Sequence, residues 1–444
     1  MKAVVEMADG DDVQVQRSGR LRRRPPPTWQ WLLALVVILV VGMVAFRVEE
    51  SHTTSATDTS ACSPDPSPAI AALPPGGTFI GVGCYVVPNG LVVTKPVTID
   101  GGTYIDPTSV KVPRVPFGPV ILVEGTSDVS LENLHVIGGN PSGRYVPSLV
   151  GQAGIELKNT SAVSIRDVTV DGTFGDGLEL WAHAPRDMTP NTGVTVDGLT
   201  ITAAGRNGIS PSDVFGATFT GVHIVSWGLT AVDFESDMAN VGAGDVTFTD
   251  SSWGGTYIQE TITGPLTFER CTLAGKIQVV VRYPTSPPVV FRDGSLSIGT
   301  KANNVGVVVR GPVSVTFADE SFTRPPRRDG HAQTKPMWQA VRGAQLTFAR
   351  SILVPPLGTA DAASTVTVNA VRIASSLCCG GTISGRPRSS IASASSSCDC
   401  TTRVSGQRTS IRSASSGKRS LPRRRNCAAV GKHRRMPSRS SISR

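Results

Sequence analysis

The amino-acid sequence predicts an all-β protein, namely a right-handed parallel β-helix solenoid of about ten to eleven coils with three strands in each coil. Three observations lead to this fold. A short pattern recurs eleven times at a mean spacing of about 27 residues, each copy has a bend position at the same place, and a further strand precedes several copies. The 46 glycines and 32 prolines agree with many turns and few long helices.

The repeat is an apolar residue, a Thr or Ser, a second apolar residue, any residue, a bend residue, two more residues and a third apolar residue. Val129-Ser130-Leu131-Glu132-Asn133, which runs on to Val136, is one copy. Alternating apolar and polar side chains are typical of a strand with one buried face. The copies begin at Val97, Val129, Val163, Val194, Ala217, Val246, Leu266, Val289, Val315, Leu346 and Val366.

The bend position is Gly, Asn or Asp in eight of the eleven copies. These residues tolerate a left-handed backbone, so a single residue can turn the chain sharply between two short strands. Two strands joined in this way and repeated at this spacing describe one coil of a parallel β-helix. A β-sandwich would not repeat its turn residue in register, and a propeller blade needs about 40–45 residues.

A third strand is predicted ahead of several copies, in the equivalent segments 154–157, 177–180, 208–211 and 231–234. The complete pattern resembles the parallel β-helix repeats of the pectin-lyase-like superfamily, and segments 175–180, 205–210 and 231–235 are similar to a subgroup of membrane-anchored bacterial β-helix proteins. The resemblance covers about residues 80–373. It implies the fold but no particular reaction, because the Asp-Asp, Gly-His-Gly and Asp-Pro-His-Glu motifs of named enzymes are absent from the body.

Composition divides the chain into five segments. Residues 374–444 hold 13 Arg and 2 Lys against one acid, so the tail carries +14 and the remainder −5. A basic tail alone does not predict a nucleic-acid partner, and none is expected. The segments are a basic cytoplasmic N-terminus at 1–28, a transmembrane helix at 29–46, a Ser/Thr/Pro-rich stalk at 47–77, the β-helix at 78–373 and a disordered Ser/Arg-rich tail at 374–444.

Three interpretations of the tail remain open. It could be a basic arm for acidic glycans, a disordered extension, or the product of a reading-frame error that replaced the true C-terminus. No amphipathic element in it is expected to cap the last coil.

The cysteines predict no metal site, since no Cys/His cluster has zinc spacing. Cys62 and Cys84 flank the start of the body, and either a disulfide between them or two free thiols is compatible with their position. Cys271 lies alone within the body.

The candidate site lies on the outward face of the third strand. Because the apolar residues of that strand face the core, Glu156, Glu179, Ser210 and Asp233 are expected in one outward column. Adjacent coils are about 4.8 Å apart, so the Cα atoms of Glu179 and Asp233 should be roughly 9–10 Å apart. That spacing is close to the carboxyl separation of inverting glycosidases.

Polar and aromatic residues are expected around this pair, between walls formed by insertions at 138–150 and 181–192. An outward acid on a β-helix is more often simply solvated than catalytic, and the grouping of acids, an arginine and indoles is what favours a site. The predicted catalytic residues are Glu179, Asp233, Glu235 and Arg206, and the predicted substrate-binding residues are Trp181, Trp227, Asp176 and Asn207.

Two functions follow from this reading. The first is a carbohydrate-active enzyme outside the cytoplasm. As a hydrolase it would use Asp233 or Glu235 as acid and Glu179 as base. As a lyase it would use Arg206 as base, with Ca²⁺ held by Asp176, Glu179 and Asp233. The second is a non-catalytic cell-surface scaffold that binds a polysaccharide, cell-surface glycan or protein along the solenoid.

Membrane topology gives the first testable prediction. Segment 29–46 has Gln30 as its only polar side chain; the cluster of four arginines within residues 20–24 precedes it, and Glu49 and Glu50 follow it. The positive-inside rule therefore predicts a cytoplasmic N-terminus and an extracytoplasmic body, whereas a cleaved signal peptide is the alternative. Reporter fusions at Ser18 and Ser60 should show opposite sides of the membrane. A cytoplasmic reporter at Ser60 would contradict this topology.

Overall fold

The computed structural model describes residues 59–107, 118–182, 189–235, 242–260, 262–281, 287–298, 305–325, 335–354 and 357–374, with the backbone of 401–403 and 409–410. These residues form three long sheets whose neighbouring strands come from successive coils and pair in parallel, apart from two short antiparallel strands at the C-terminal end. The chain is therefore a parallel β-helix, and the predicted all-β solenoid with three strands per coil is confirmed.

Each coil contributes one strand to each sheet. Sheet 1 contains Gly77–Ile80, Val97–Asp100, Ser130–Glu132, Ser164–Arg166, Thr195–Asp197, Val214–Thr220, Gly244–Thr249, Leu266–Glu269, Val289–Arg292, Ser314–Ala318, Gln345–Ala349, Thr365–Asn369 and Thr409–Ser410, with Asn191–Thr192 paired beside Val214–Thr220. Sheet 2 contains Cys84–Val86, Thr103–Ile105, His135–Ile137, Thr169–Asp171, Thr200–Ile201, His223–Ile224, Ser252–Trp253, Thr272–Ala274, Ser295–Ser297, Ser321–Thr323, Ile352–Leu353, Arg372–Ala374 and Thr401–Arg403. Sheet 3 contains Leu91–Val93, Ile121–Glu124, Ile155–Lys158, Leu178–Trp181, Asn207–Pro211, Thr230–Phe234, Thr256–Glu260, Ile277–Val281, Val307–Arg310, Trp338–Val341 and Gly358–Ala360.

The bend between sheets 1 and 2 has a left-handed residue at the same position in all eleven coils that carry the repeat, with φ between 50° and 78° from Gly101 to Ala370. In the first of these coils Gly102, which follows the bend residue, is left-handed as well. Eight of the eleven are Gly, Asn or Asp, as the sequence predicts. Arg270 and Arg350 are two exceptions, and each pairs with the aspartate at the bend of the preceding coil, Asp250 and Asp319.

A row of phenylalanines runs through the core beneath sheet 1. The rings stack with centroid separations from 4.3 to 5.6 Å and interplanar angles of 16° or less. Each ring comes from the third position of a repeat, so the register of the sheet aligns them. The row consists of Phe219, Phe248, Phe268, Phe291, Phe317 and Phe348.

The N-terminal end of the solenoid is covered by the helix Ser67–Ala72, whose Ile70 is buried against the first coil. A disulfide joins Cys62 to Cys84, with the two Cα atoms 4.9 Å apart, which decides between the two cysteine interpretations. The folded body thus begins earlier than the predicted boundary at residue 78, because a short apolar helix within the predicted stalk packs on the core. Besides this helix, a 3-10 turn is formed by Pro147–Leu149.

At the other end, Thr401–Arg403 pairs antiparallel with Arg372–Ala374, and Thr409–Ser410 pairs antiparallel with Thr365–Asn369. These two short strands cover strand edges of the last coil, although the sequence suggested no capping element there. The rest of the predicted tail lies outside the described residues. So does the predicted span at 29–46, and none of the helices that the structure describes is long and apolar enough to cross a membrane.

We expect the phenylalanine row to stabilise the solenoid. Phe268 is buried between two neighbouring rings, so Phe268→Ala should lower the free energy of unfolding by about 3–5 kcal/mol. Phe215 is 43% exposed and provides a matched control, since Phe215→Ala should change stability by less than about 1 kcal/mol. Chemical denaturation of the purified variants measures both values. Equal effects at the two positions would show that the row is not a stabilising core.

Candidate functional site

The pairing register of sheet 3 aligns the predicted column of polar residues. Glu156 pairs with Glu179, and Glu179 pairs with Ser210. Ile209 pairs with Val232, which places Ser210 beside Asp233 on the next coil. The column is therefore continuous over four coils, with Glu179 and Asp233 two coils apart as predicted.

Glycines in the turn before sheet 3 allow these coils to stack closely. A Cβ atom on Gly205 would lie 2.5 Å from the carbonyl oxygen of Phe174, and one on Gly228 would lie 1.9 Å from the carbonyl oxygen of Gly205. No larger residue fits at either position. Asp176 follows Gly175, the equivalent glycine of the preceding coil, and Arg206 follows Gly205, so the tight turns bring these two side chains next to each other.

Arg206 lies at the centre of the site, surrounded by carboxyl groups. Its Nε is 3.4 Å from Asp176 Oδ1, its Nη1 is 3.9 Å from Glu179 Oε1 and its Nη2 is 3.0 Å from Glu235 Oε2. Asp176 is completely buried, Glu179 is 17% exposed and Glu235 is 41% exposed. One guanidinium thus connects an acid beneath the surface to two acids that reach solvent.

Asn207 holds together the buried polar residues that lie beneath Arg206. Its backbone N–H donates to Asp176 Oδ1 at 2.9 Å, and its side-chain Nδ2 donates to Ser210 Oγ at 3.1 Å and, more weakly, to Asp233 Oδ2 at 3.5 Å. All four residues are buried. The second oxygen of each aspartate accepts no hydrogen bond from the described residues, so neither carboxylate is fully compensated.

Burial and mutual repulsion raise the pKa values of these acids. Burial is the main cause of the raised pKa of Glu179, which lies well above its usual range, and the nearby carboxyl groups of Asp176 and Glu156 add to it. Burial likewise raises the pKa of Asp176, against the opposing charge of Arg206. For Asp233, burial and then the charge of Glu235 raise the pKa to about 7. The cluster therefore retains protons that ordinary carboxyl groups release.

Arg206 stays charged in this setting. Burial alone lowers the pKa of its guanidinium, but the attraction of Asp176, Glu179 and Glu235 together raises it above the ordinary value. A guanidinium held in this way cannot serve as a proton acceptor.

Trp181 borders the cluster and is held in place on two sides. Its Nε1 donates to Glu156 Oε1 at 2.7 Å, and the ammonium of Lys158 lies 5.6 Å from the centre of the ring. Lys158 in turn is 2.7 Å from Glu124 Oε1. These contacts come from the preceding coil, so the register of sheet 3 positions the indole as well as the acids.

A cleft of about 360 Å³ opens above Arg206. The insertion at 138–150 forms one wall; Asn140 anchors it by donating to the carbonyl oxygens of Arg144 and Thr173, both at 2.9 Å. The volume is at the lower end of those of small-molecule pockets. The cleft is lined by Tyr145, Val150, Glu179, Trp181, Ala182, Arg206, Ser212, Asp213, Leu229 and Glu235.

Most of the predicted residues come together, in two layers. Glu179, Trp181, Arg206 and Glu235 line the cleft, whereas Asp176, Asn207 and Asp233 form the buried layer beneath it. Trp227 is not among the lining residues. Its ring instead packs over Gly254 and against the core, because a Cβ atom at Gly254 would lie 1.9 Å from the indole.

The calcium site suggested for a lyase is not formed. Among the residues that the structure describes, no group of three acidic, histidine or cysteine side chains is arranged to hold a metal ion. Asp176 and Glu179 are directed at Arg206, so the positive charge between them belongs to a guanidinium.

Asp213 and Tyr145 are two of the lining residues that the sequence prediction did not name. Asp213 is buried, and its Oδ2 accepts the backbone N–H of Ala182 at 3.0 Å, which fixes the start of the second insertion. Tyr145 belongs to the first insertion. Neither lies in a repeat, so periodicity carried no information about them; only the position of Asp213 two residues after the third strand could have indicated it.

Comparisons with known proteins do not identify a family. No known family and no curated protein matches the sequence. Among solved structures, the surface protein and adhesin PfbA of Streptococcus pneumoniae shares 10% identity over 69% of this chain and 90% of its own, with a TM-score of 0.44. The Agl-KA catalytic domain shares 14% over 63% of this chain and 59% of its own, with a TM-score of 0.42. The tailspike protein gp49 of Pseudomonas phage LKA1 shares 12% over 64% of this chain and 52% of its own, with a TM-score of 0.38. The functional assignment therefore rests on the cleft.

The raised pKa of Asp233 predicts a pH-dependent stability. Between its ordinary pKa of 3.8 and about 7, the folded protein holds a proton that the unfolded chain releases, so stability falls as the pH rises through this interval. Asp233→Asn removes this loss and should make the variant more stable than the wild type at pH 8, by up to about 4 kcal/mol, with little difference at pH 4.

Thermal unfolding of both proteins from pH 4 to pH 8 measures the effect. Asp197→Asn is the matched control, because Asp197 is an exposed acid on sheet 1. The melting temperature of the wild type should decrease as the pH rises. In Asp233→Asn this decrease should be smaller but still present, because Glu320 is also buried with its pKa raised to about 7. Parallel curves for the wild type and Asp233→Asn would refute a protonated Asp233.

Proposed function

We propose that the cleft binds a polysaccharide and hydrolyses a glycosidic bond, with Glu179 as general acid and Glu235 as general base. The observation that carries this proposal is the placement of two carboxyl groups of unequal environment on either side of Arg206, at the floor of an open cleft beside an indole. Unequal environments are what separates an acid from a base in glycoside hydrolysis.

Glu179 is suited to donate a proton. Its raised pKa favours a protonated carboxyl group near neutral pH, and the group still reaches the cleft. A protonated acid at this place could transfer its proton to the oxygen of a leaving sugar. Arg206 Nη1, at 3.9 Å, would then stabilise the carboxylate that remains.

Glu235 is suited to activate water. It is the most exposed acid around Arg206, and Nη2 of the guanidinium orients it at 3.0 Å. The two carboxyl groups contact different ends of one guanidinium, so their facing oxygens are at most roughly 9 Å apart, a bound that admits the roughly 6.5–9.5 Å of inverting glycosidases. An inverting enzyme needs such a separation because a water molecule must fit between the sugar and the base.

These roles differ from those expected from the sequence. There Glu179 was the base, whereas its raised pKa fits the acid. Asp233, expected as an acid, lies beneath the cleft and supports Asn207. Arg206, expected as the base of a lyase, keeps its proton because three carboxyl groups surround it. Hydrolysis therefore agrees with the geometry better than elimination.

The proposed setting is the cell surface, with the body outside the membrane and the span at 29–46 as anchor. This part of the proposal rests on the sequence. The apolar run and the arginines before it support an anchor, and the Cys62–Cys84 disulfide is compatible with an oxidising compartment.

Turnover of a polysaccharide panel by the full chain tests the proposal. Glu179→Gln and Glu235→Gln should each lower kcat/KM on the order of 10²- to 10⁴-fold without lowering the melting temperature. Trp181→Ala should mainly weaken binding, because it removes the aromatic surface of the cleft. Glu132→Gln is the matched control, since Glu132 is also paired with an arginine but on sheet 1.

The stereochemistry of the first product adds an independent measurement. NMR should show inversion at the anomeric carbon, and retention would contradict the assignment of Glu235 as base. Glycan binding without turnover in the wild type would favour the non-catalytic scaffold. Unsaturated products would indicate a lyase.

A further inference from the structure

All three nitrogen atoms of the Arg206 guanidinium face an acid of the chain itself. Nε faces Asp176, Nη1 faces Glu179 and Nη2 faces Glu235. Proteins that bind carboxylates or sulfates commonly present an arginine edge for a bidentate contact. Here the edge formed by Nη1 and Nη2 is already used by glutamates at the floor of the cleft.

The lining residues that the structure describes provide no second cation. Among them, Arg206 is the only cation, and its guanidinium faces the carboxyl groups of Glu179 and Glu235. The neighbouring Lys158 contacts Trp181 from the preceding coil and is paired with Glu124. At the lining residues that the structure describes, an anionic sugar would meet carboxyl groups and a guanidinium that already faces them, and an unpaired charge is costly to desolvate.

We infer that the cleft accepts a polysaccharide without charged groups and excludes glycans that carry a carboxylate or sulfate on each ring. This inference rests on the proposed function. Hydroxyl groups of a neutral sugar can donate to Glu235 and Asp213, while a ring face packs on Trp181 or Tyr145. Such contacts require no counter-ion.

Polymers that differ only in charge provide the test. The pairs are glucan and its carboxylated derivative, mannan and polymannuronate, and methyl-esterified and de-esterified polygalacturonan. Calorimetric titration of the full chain should show binding of at least one neutral member and at least tenfold weaker binding of its charged counterpart. Added salt should narrow this difference, because it screens the repulsion between like charges.

Removing an acid that contacts Arg206 should alter the selectivity between charged and neutral polymers. Glu235→Gln removes one acid and releases Nη2 of Arg206, so affinity for the charged member should rise about tenfold while affinity for the neutral member changes less. Glu132→Gln should leave both affinities unchanged. If Glu235 had a merely structural role, Glu235→Gln would lower the affinities for both members.

The outcomes separate the inference from the function on which it rests. Tighter binding of the charged member by the wild type would overturn the inference and leave polysaccharide binding intact. An unchanged ratio of the affinities for the neutral and charged members in Glu235→Gln would also overturn the inference. Failure of every polymer in the panel to bind would overturn the proposed function and the inference together.

Discussion

One left-handed bend position per coil joins sheets 1 and 2 and keeps these two sheets in register. Because side chains alternate between the two faces of a strand, a slip of one residue in the pairing of neighbouring coils would exchange the buried and exposed sets. The constant bend from Gly101 to Ala370 opposes such a slip in sheets 1 and 2, and the phenylalanines of sheet 1 form one column. In sheet 3, the parallel pairing places Glu179 and Asp233 in another column. Both the core and the site depend on this register between coils.

Within the column, the balance of charge determines the chemistry. Four acids, Asp176, Glu179, Asp233 and Glu235, surround Arg206, and three of them are largely removed from water. A single guanidinium cannot compensate four carboxylates, and burial raises the pKa values of Asp176, Glu179 and Asp233. Burial therefore does more than position these groups, because in the proposed hydrolysis it favours Glu179 as the proton donor.

The sequence predicts the periodic part of this structure well. The bend position, the three strands and the convergence of Glu179, Arg206 and Glu235 can all be predicted, because each depends on the residue types at fixed positions of a short repeat. The disulfide was one of two alternatives, and the structure decides it. The contributions of insertions could not be predicted, since the path of residues 138–150 depends on contacts such as that of Asn140 with Thr173. Trp227 was misplaced for a related reason: an aromatic residue at a turn can face the cleft or pack over a glycine, and the distant Gly254 allows the second.

This division between repeat and insertion has a consequence for function. Arg206 and its carboxyl groups lie on or beside strands whose position is fixed by neighbouring coils above and below. Tyr145 and Val150 lie on an insertion that is attached to the solenoid through a few hydrogen bonds. Changes in the insertion would alter the shape of the cleft without disturbing the stacked coils, whereas a change in coil length would disturb both. The charge arrangement around Arg206 is thus the part of the site that the fold holds constant. In the proposed function, selection of a particular glycan depends on the walls, because only they can be reshaped at little cost to the core.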